Sequence, residues 1–173
     1  MKALSKASFL SLMKTRGLAL DTQYQPPQTL VFPATPDLGH SWEMPGSPKH
    51  VARFITSLFD ACEEATGFYL FPRAGAWAAG YSLKTFQTKA VFGACGIDPS
   101  ADDVLYATTD EMDAVETLFA ISLIFGGTVE DDIFAIPSHG KMLLYADHHE
   151  AVHAEFSCLD LMDRFLPRIS AHD

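Results

Sequence analysis

The run Lys141-Met142-Leu143-Leu144-Tyr145-Ala146-Asp147-His148-His149-Glu150-Ala151-Val152-His153-Ala154-Glu155-Phe156 admits two backbones, and the choice between them decides the fold. As a β-hairpin its arms are Lys141 to Asp147 and Glu150 to Phe156, reversing at His148-His149. Val152, Ala154 and Phe156 then alternate with Ala151, His153 and Glu155, the period-two pattern of a strand with one buried face. The first arm carries the short apolar run Met142-Leu143-Leu144-Tyr145, bounded by the turn-like Ser138-His139-Gly140 and by Asp147. As a helix, the same chain has neither Gly nor Pro between Gly140 and Pro167, and Tyr145, Val152, Phe156, Leu159, Met162 and Leu166 recur at nearly helical spacing. The hairpin is the expectation. Ser157-Cys158-Leu159-Asp160 looks like a fresh helix start, with a hydroxyl N-cap and an early acid, which a continuous helix would not need.

The same run contains His149-Glu150-Ala151-Val152-His153, five residues that resemble the H-E-x-x-H pattern of zinc metalloproteases. The resemblance implies His149 and His153 as zinc ligands and Glu150 as the general base acting on a metal-bound water. It requires the helix, which would set the two imidazoles one turn apart on one face. Along a strand the two positions are about 13 Å apart, too far for one ion. The extension H-x-x-G-x-x-H is absent, because Ala154-Glu155-Phe156-Ser157 follows; Glu155, Asp160 and Asp163 are third-ligand candidates by proximity alone. A further reading gathers His139, Asp147, His148 and His149 at one end of the hairpin as a metal or pH-sensing cluster.

Outward from this run the elements are short and alternating. Met1 to Gly17 holds Lys2, Lys6, Lys14 and Arg16 with no acid, and predicts an amphipathic docking helix or arm. In the Pro-rich residues 18 to 50, Thr29-Leu30-Val31-Phe32 and His40-Ser41-Trp42-Glu43 are strand candidates, placed at edges by the flanking prolines. Ser47-Pro48 opens a helix with Val51, Phe54, Ile55, Leu58, Phe59 and Cys62 on one stripe, closed by Gly67. A buried strand Phe68 to Phe71 follows, then the small-residue run Arg73 to Gly80. Ser82 to Phe92 is a helix with Leu83, Phe86, Ala90 and Val91 inward. Val104 to Ala107 is a strand, Thr109 or Asp110 caps a helix through Phe125, Ile133 to Ile136 is a strand, and Leu159 to Leu166 is a last helix stopped by Pro167. These give one α+β domain over residues 1–173, with a largely antiparallel sheet of about five to six short strands packed by about five helices. A mixed α/β sheet is the alternative.

Composition bounds function. At 173 residues and 48% hydrophobic, the chain is long enough for a substantial core, to which thirteen Phe contribute. The formal net charge is -10, which argues against nucleic-acid and anionic-membrane partners. No Lys or Arg occurs between Lys89 and Lys141, where Asp98, Asp102, Asp103, Asp110, Glu111, Asp113, Glu116, Glu130, Asp131 and Asp132 lie. A face bearing them would favour a basic protein partner; their other role is to complement helix N-termini and keep the surface solvated. Cys62, Cys95 and Cys158 form neither a disulfide framework nor a zinc knuckle, which points to a reducing cytoplasm, with Cys62 in the core and Cys95 as the exposed thiol. The expectation is an interaction module for an unidentified protein, acting as inhibitor, immunity-like or adaptor domains do. It needs no cofactor, and a homodimer is compatible with it. The alternative is a zinc hydrolase.

Overall fold

The computed structural model describes residues 1–20, 30–35, 38–43, 47–72, 82–100, 103–125, 133–147 and 151–170. In chain order the elements are β1 (Lys2–Leu4), α1 (Lys6–Lys14), β2 (Ala19–Leu20), β3 (Leu30–Val31), β4 (Gly39–Glu43), α2 (Pro48–Asp60), β5 (Gly67–Pro72), α3 (Ser82–Ala94), β6 (Val104–Thr108), a 3-10 turn (Thr109–Glu111), α4 (Met112–Phe125), β7 (Ile133–Pro137), β8 (Met142–Asp147), β9 (Ala151–Phe156) and α5 (Leu159–Ser170). The run 141–156 is the hairpin, with Tyr145 opposite His153 and Asp147 opposite Ala151. The helical reading of that run is thereby corrected.

Seven strands form one sheet in the order β1-β6-β5-β7-β8-β9-β4, and every neighbouring pair is antiparallel. The fold is therefore α+β, and the mixed α/β alternative does not hold. β2 and β3 make a separate two-stranded ribbon. Among the nine strands of the described residues, β1 and β2 have no signal in the sequence. Lys2–Leu4 joins the sheet edge beside β6, and the helix begins only after Ser5, whose hydroxyl accepts from the Ser8 N–H.

Alternation along the strands supplies two cores. Phe68 and Leu70 of β5, Leu105 and Ala107 of β6, and Val152, Ala154 and Phe156 of β9 share one with Ile55, Leu58 and Phe59 of α2, Leu118 and Phe119 of α4, and Phe165 of α5. Tyr69, Phe71, Phe134, Ile136 and Leu143 face the other side, where Phe9 and Met13 of α1 lie with Leu18, Leu30 and Phe32. All six residues of β5 are buried, as a strand covered on both faces requires. The basic N-terminal segment thus packs against the sheet. Its cations meet aromatic faces: Lys2 over Tyr106 at 5.1 Å, Lys6 over Phe71 at 5.4 Å and Arg16 over Tyr69 at 5.7 Å.

Two helix ends and the inward face of α3 differ from expectation. α2 ends at Asp60 with Ala61 as its C-cap, not at Gly67; the chain turns through Glu64, at φ 65°, and Gly67 instead opens β5 because a side chain there would collide with Tyr106 and the Ala107 carbonyl. α5 continues through Pro167 to Ser170, since Phe165 and Ile169 on the same face are both buried in the core. On α3, Phe86 is 71% exposed and Ala90 also faces solvent, while Thr88 and Phe92 are buried.

Candidate functional site

His153 is the one described residue of the H-E-x-x-H run's three functional side chains, and it sits on β9. Residues 151–156 are a strand, so the helical turn that the metal reading needs is not formed over them. Positions 148–150 lie outside the described residues. His139 lies in the turn before β8; His148 and His149, with which it would form the proposed cluster, are outside the described residues. Among the described residues no three His, Cys, Asp or Glu side chains are grouped to hold a metal.

What His153 does join is a cross-strand row. Register places Phe71 opposite Phe134, Phe134 opposite Tyr145, Tyr145 opposite His153, and His153 opposite Ser41. Ring centroids along the row are 6.2, 5.2 and 4.4 Å apart, the last pair stacked at 15°. Ser41 Oγ lies 2.7 Å from His153 Nδ1. The row runs from the buried centre of the sheet, where Phe71 and Phe134 are 1% exposed, to Ser41 on the exposed edge. Tyr145 and Ser41 were missed in the sequence, because only the strand pairing brings them to His153.

The ten acids divide. Glu111 accepts from the Thr108 N–H at 3.0 Å and from its hydroxyl at 3.3 Å and pairs with the Met1 ammonium. Asp103 accepts from the Ser100 N–H at 2.8 Å. These two serve local structure. Asp98 and Asp110 are exposed. Asp113 and Glu116 stand on α4, where Glu116 accepts from the Thr56 hydroxyl of α2 at 3.0 Å. Burial pushes the Glu116 carboxyl above the usual range against the opposing Thr56 bond, and the charges acting on it, Asp60 and Asp113, push the same way. Asp60, on α2, has no place among the sequence candidates; the packing of α2 on α4 brings it there. Asp102, Glu130, Asp131 and Asp132 lie outside the described residues, as does the run 73–80.

A small pocket opens between the C-terminal end of α2, the β7–β8 turn and α5, lined in part by Cys62, Glu63, His139, Lys141, Arg164 and Arg168. Within it Arg168 pairs with Glu63 and, with Arg164, holds that carboxyl below its usual range. His139 is held below the ordinary imidazole value by burial first and by Lys141 next; its Nδ1 accepts from the Lys141 N–H at 3.1 Å, which also favours the neutral ring. Burial pushes the Cys62 thiol far up, and it donates to the Leu58 carbonyl at 3.2 Å, so it is an inert core group. Cys95 is half-buried; the exposed thiol is Cys158.

No protein-family model, no curated protein and no solved structure matches this chain. Among the described residues no helix is long and apolar enough to cross a membrane.

Proposed function

We propose that this protein is an interaction module that recognises a basic surface of another protein through the carboxylates of α4 and the end of α2, masking or holding that surface as inhibitor, immunity-like or adaptor domains do. The observation that carries the reading is the crowding at Glu116. Burial first, and then Asp60 of α2 and Asp113 of α4, raise its pKa, so like charges are held together where the two helices meet. Such an arrangement costs folding free energy, and an incoming Lys or Arg would relieve it. The net charge of -10 would add long-range steering.

The test sets immobilised wild-type protein beside the variant Asp60→Asn/Asp113→Asn/Glu116→Gln. Proteins retained by the wild type are expected to be basic, to elute with moderate salt, and to associate several-fold more slowly with the variant. The variant itself should unfold no more easily. If retention is the same on both surfaces, the carboxylate face is not the binding site and the reading fails.

A further inference from the structure

In an antiparallel ladder alternate residues turn both main-chain groups toward the same neighbour. The Phe156 N–H bonds to the Leu38 carbonyl at 2.9 Å, and the register continues with His40 opposite Ala154 and Trp42 opposite Val152. Leu38, His40 and Trp42 therefore direct their N–H and C=O groups at β9. The same parity holds on the other side of β9, where the Ser157 N–H reaches the Lys141 carbonyl at 2.9 Å. Gly39, Ser41 and Glu43 are left with their main-chain groups pointing away from the sheet, and among the described residues no strand follows β4 on that side.

Edges of this kind are normally blunted by shortness, Lys, Pro or a bulge. β1, the opposite edge, is three residues long and begins with Lys2. β4 is five residues long, pairs without a bulge, and contains no Lys, Arg or Pro. Among the described residues it is open to strand addition.

We propose that the outer edge of β4 takes the β4 of a second copy of this chain, antiparallel about Ser41, joining two seven-stranded sheets edge to edge. That register is self-complementary. Ser41 faces Ser41, and Gly39 and Glu43 face each other twice, three pairs that exchange about six main-chain bonds. The bulky Glu43 meets the one position without a side chain. His40 faces Trp42 in the closely spaced, non-bonded positions, with Cα atoms about 4.5 Å apart; both rings lie on the sheet face where Trp42 already packs on Phe54 at 6.0 Å and Phe165 at 6.4 Å. Within one chain His40 and Trp42 already make an edge contact at 4.5 Å, so imidazole and indole suit each other there. Centring the pair on Glu43 instead would set carboxylate against carboxylate, which opposes that slip. Each copy carries a charge of -10, so added salt strengthens this association, whereas it weakens capture of a basic protein.

Sedimentation of the full chain over a concentration series, at low and moderate salt, reads the association. The expected result is a reversible monomer–dimer equilibrium that tightens with salt. Ser41→Pro removes an outward N–H without touching the bonds to β9 and should weaken the dimer at least tenfold, while Ser41→Ala keeps the N–H and leaves it unchanged. Should the proline variant misfold, Gly39 decides. A Cβ there meets only the Ala154 carbonyl at 3.4 Å and Glu155 Cγ at 4.0 Å; Gly39→Lys should tighten the dimer several-fold against Glu43, and Gly39→Glu should weaken it. Monomer at every concentration overturns the proposal, as does a dimer indifferent to Gly39→Glu and Ser41→Pro. Hydrogen exchange at the Gly39, Ser41 and Glu43 amides should slow with protein concentration. Slowing caused by an added Lys-rich peptide and not by concentration would assign the edge to a different partner and likewise overturn it.

Discussion

Replacing Gly67 by alanine puts a methyl group where the sheet has no room. The new Cβ would stand well inside contact distance of the Ala107 carbonyl and 2.7 Å from the Tyr106 hydroxyl oxygen. The tyrosine can swing aside, but Ala107 is fully buried in β6 and opposite Phe68, so its carbonyl cannot. β5 must instead lift away at its first residue. That loosens the Gly67–Thr108 pairing and the bond from the Ser138 N–H to the Gly67 carbonyl at 2.8 Å, each worth about 0.5–1.5 kcal/mol. It also disturbs the Tyr69–Tyr106 contact at 4.9 Å, worth about 0.5–1.5 kcal/mol. The sum is roughly 2–4 kcal/mol, within or just above what overpacking costs in cores. Urea unfolding followed by circular dichroism should show a lower midpoint with an unchanged slope, and Tm should fall by roughly 5–15 °C at about 2–4 °C per kcal/mol. Gly93→Ala is the comparison: on α3 its Cβ meets nothing within 4 Å, and helix propensity should make that variant about 0.5–1 kcal/mol more stable. A Gly67→Ala protein as stable as the wild type, or shifted upward like Gly93→Ala, would refute the β5–β6 register.

Two further outcomes are expected. Phe9 is 1% exposed and packs on Tyr69 at 5.6 Å and Phe71 at 5.8 Å; Phe9→Ala should destabilise the whole domain by about 3–5 kcal/mol in a single urea transition, whereas a loss below about 0.5 kcal/mol would mean that α1 is an independent arm. Glu116 has its folded-state pKa raised above the ordinary value, so ionising it costs stability above that pKa and the cost disappears below the unfolded-state value. Glu116→Gln should therefore be more stable than the wild type at neutral pH, with the difference closing as the solution is acidified through about pH 4; a difference that stays constant or widens in acid would contradict the raised carboxyl that burial, Asp60 and Asp113 together produce.

Local signals were enough wherever one residue type has one job. Ser47-Pro48 starts α2 as expected because Ser47 accepts from the His50 N–H and proline suits the first turn. The strict alternation of Val152, Ala154 and Phe156 against Ala151, His153 and Glu155 names the buried face of β9 outright. Residues with two possible jobs misled. Gly67 resembles a helix stop, yet its missing side chain serves the close approach of β5 to β6. Pro167 resembles a stop, yet burial of Ile169 outweighs the lost hydrogen bond. Phe86 fits an inward stripe, but α3 packs through Phe92, and that rotation is set by tertiary contacts no local pattern encodes. The site was less legible still, since the link from Tyr145 through His153 to Ser41 spans 112 residues, and Asp60 reaches Glu116 only across a helix–helix contact.

The fold keeps the cations of the N-terminal segment away from Glu116. Lys2, Lys6 and Arg16 belong to the face of the sheet covered by α1, where they lie over Tyr106, Phe71 and Tyr69. Asp60, Asp113 and Glu116 belong to the opposite face, on helices packed against the other core. Layers pack about 10 Å apart, so helix, sheet and helix separate the two sets by more than the Debye length of roughly 8 Å at physiological salt. The basic N-terminal segment therefore does little to neutralise the carboxylates, even though it packs on the same sheet. The Met1–Glu111 pair is the described exception, and it sits at the start of the turn into α4, apart from Glu116. Lys2, Lys6 and Arg16 are spent on aromatic rings of one face and leave Asp60, Asp113 and Glu116 on the other unmatched by the N-terminal segment. For that reason the salt dependence of association carries more information than affinity alone: a basic partner on the α2–α4 face should release with salt, and a second copy at β4 should tighten with it.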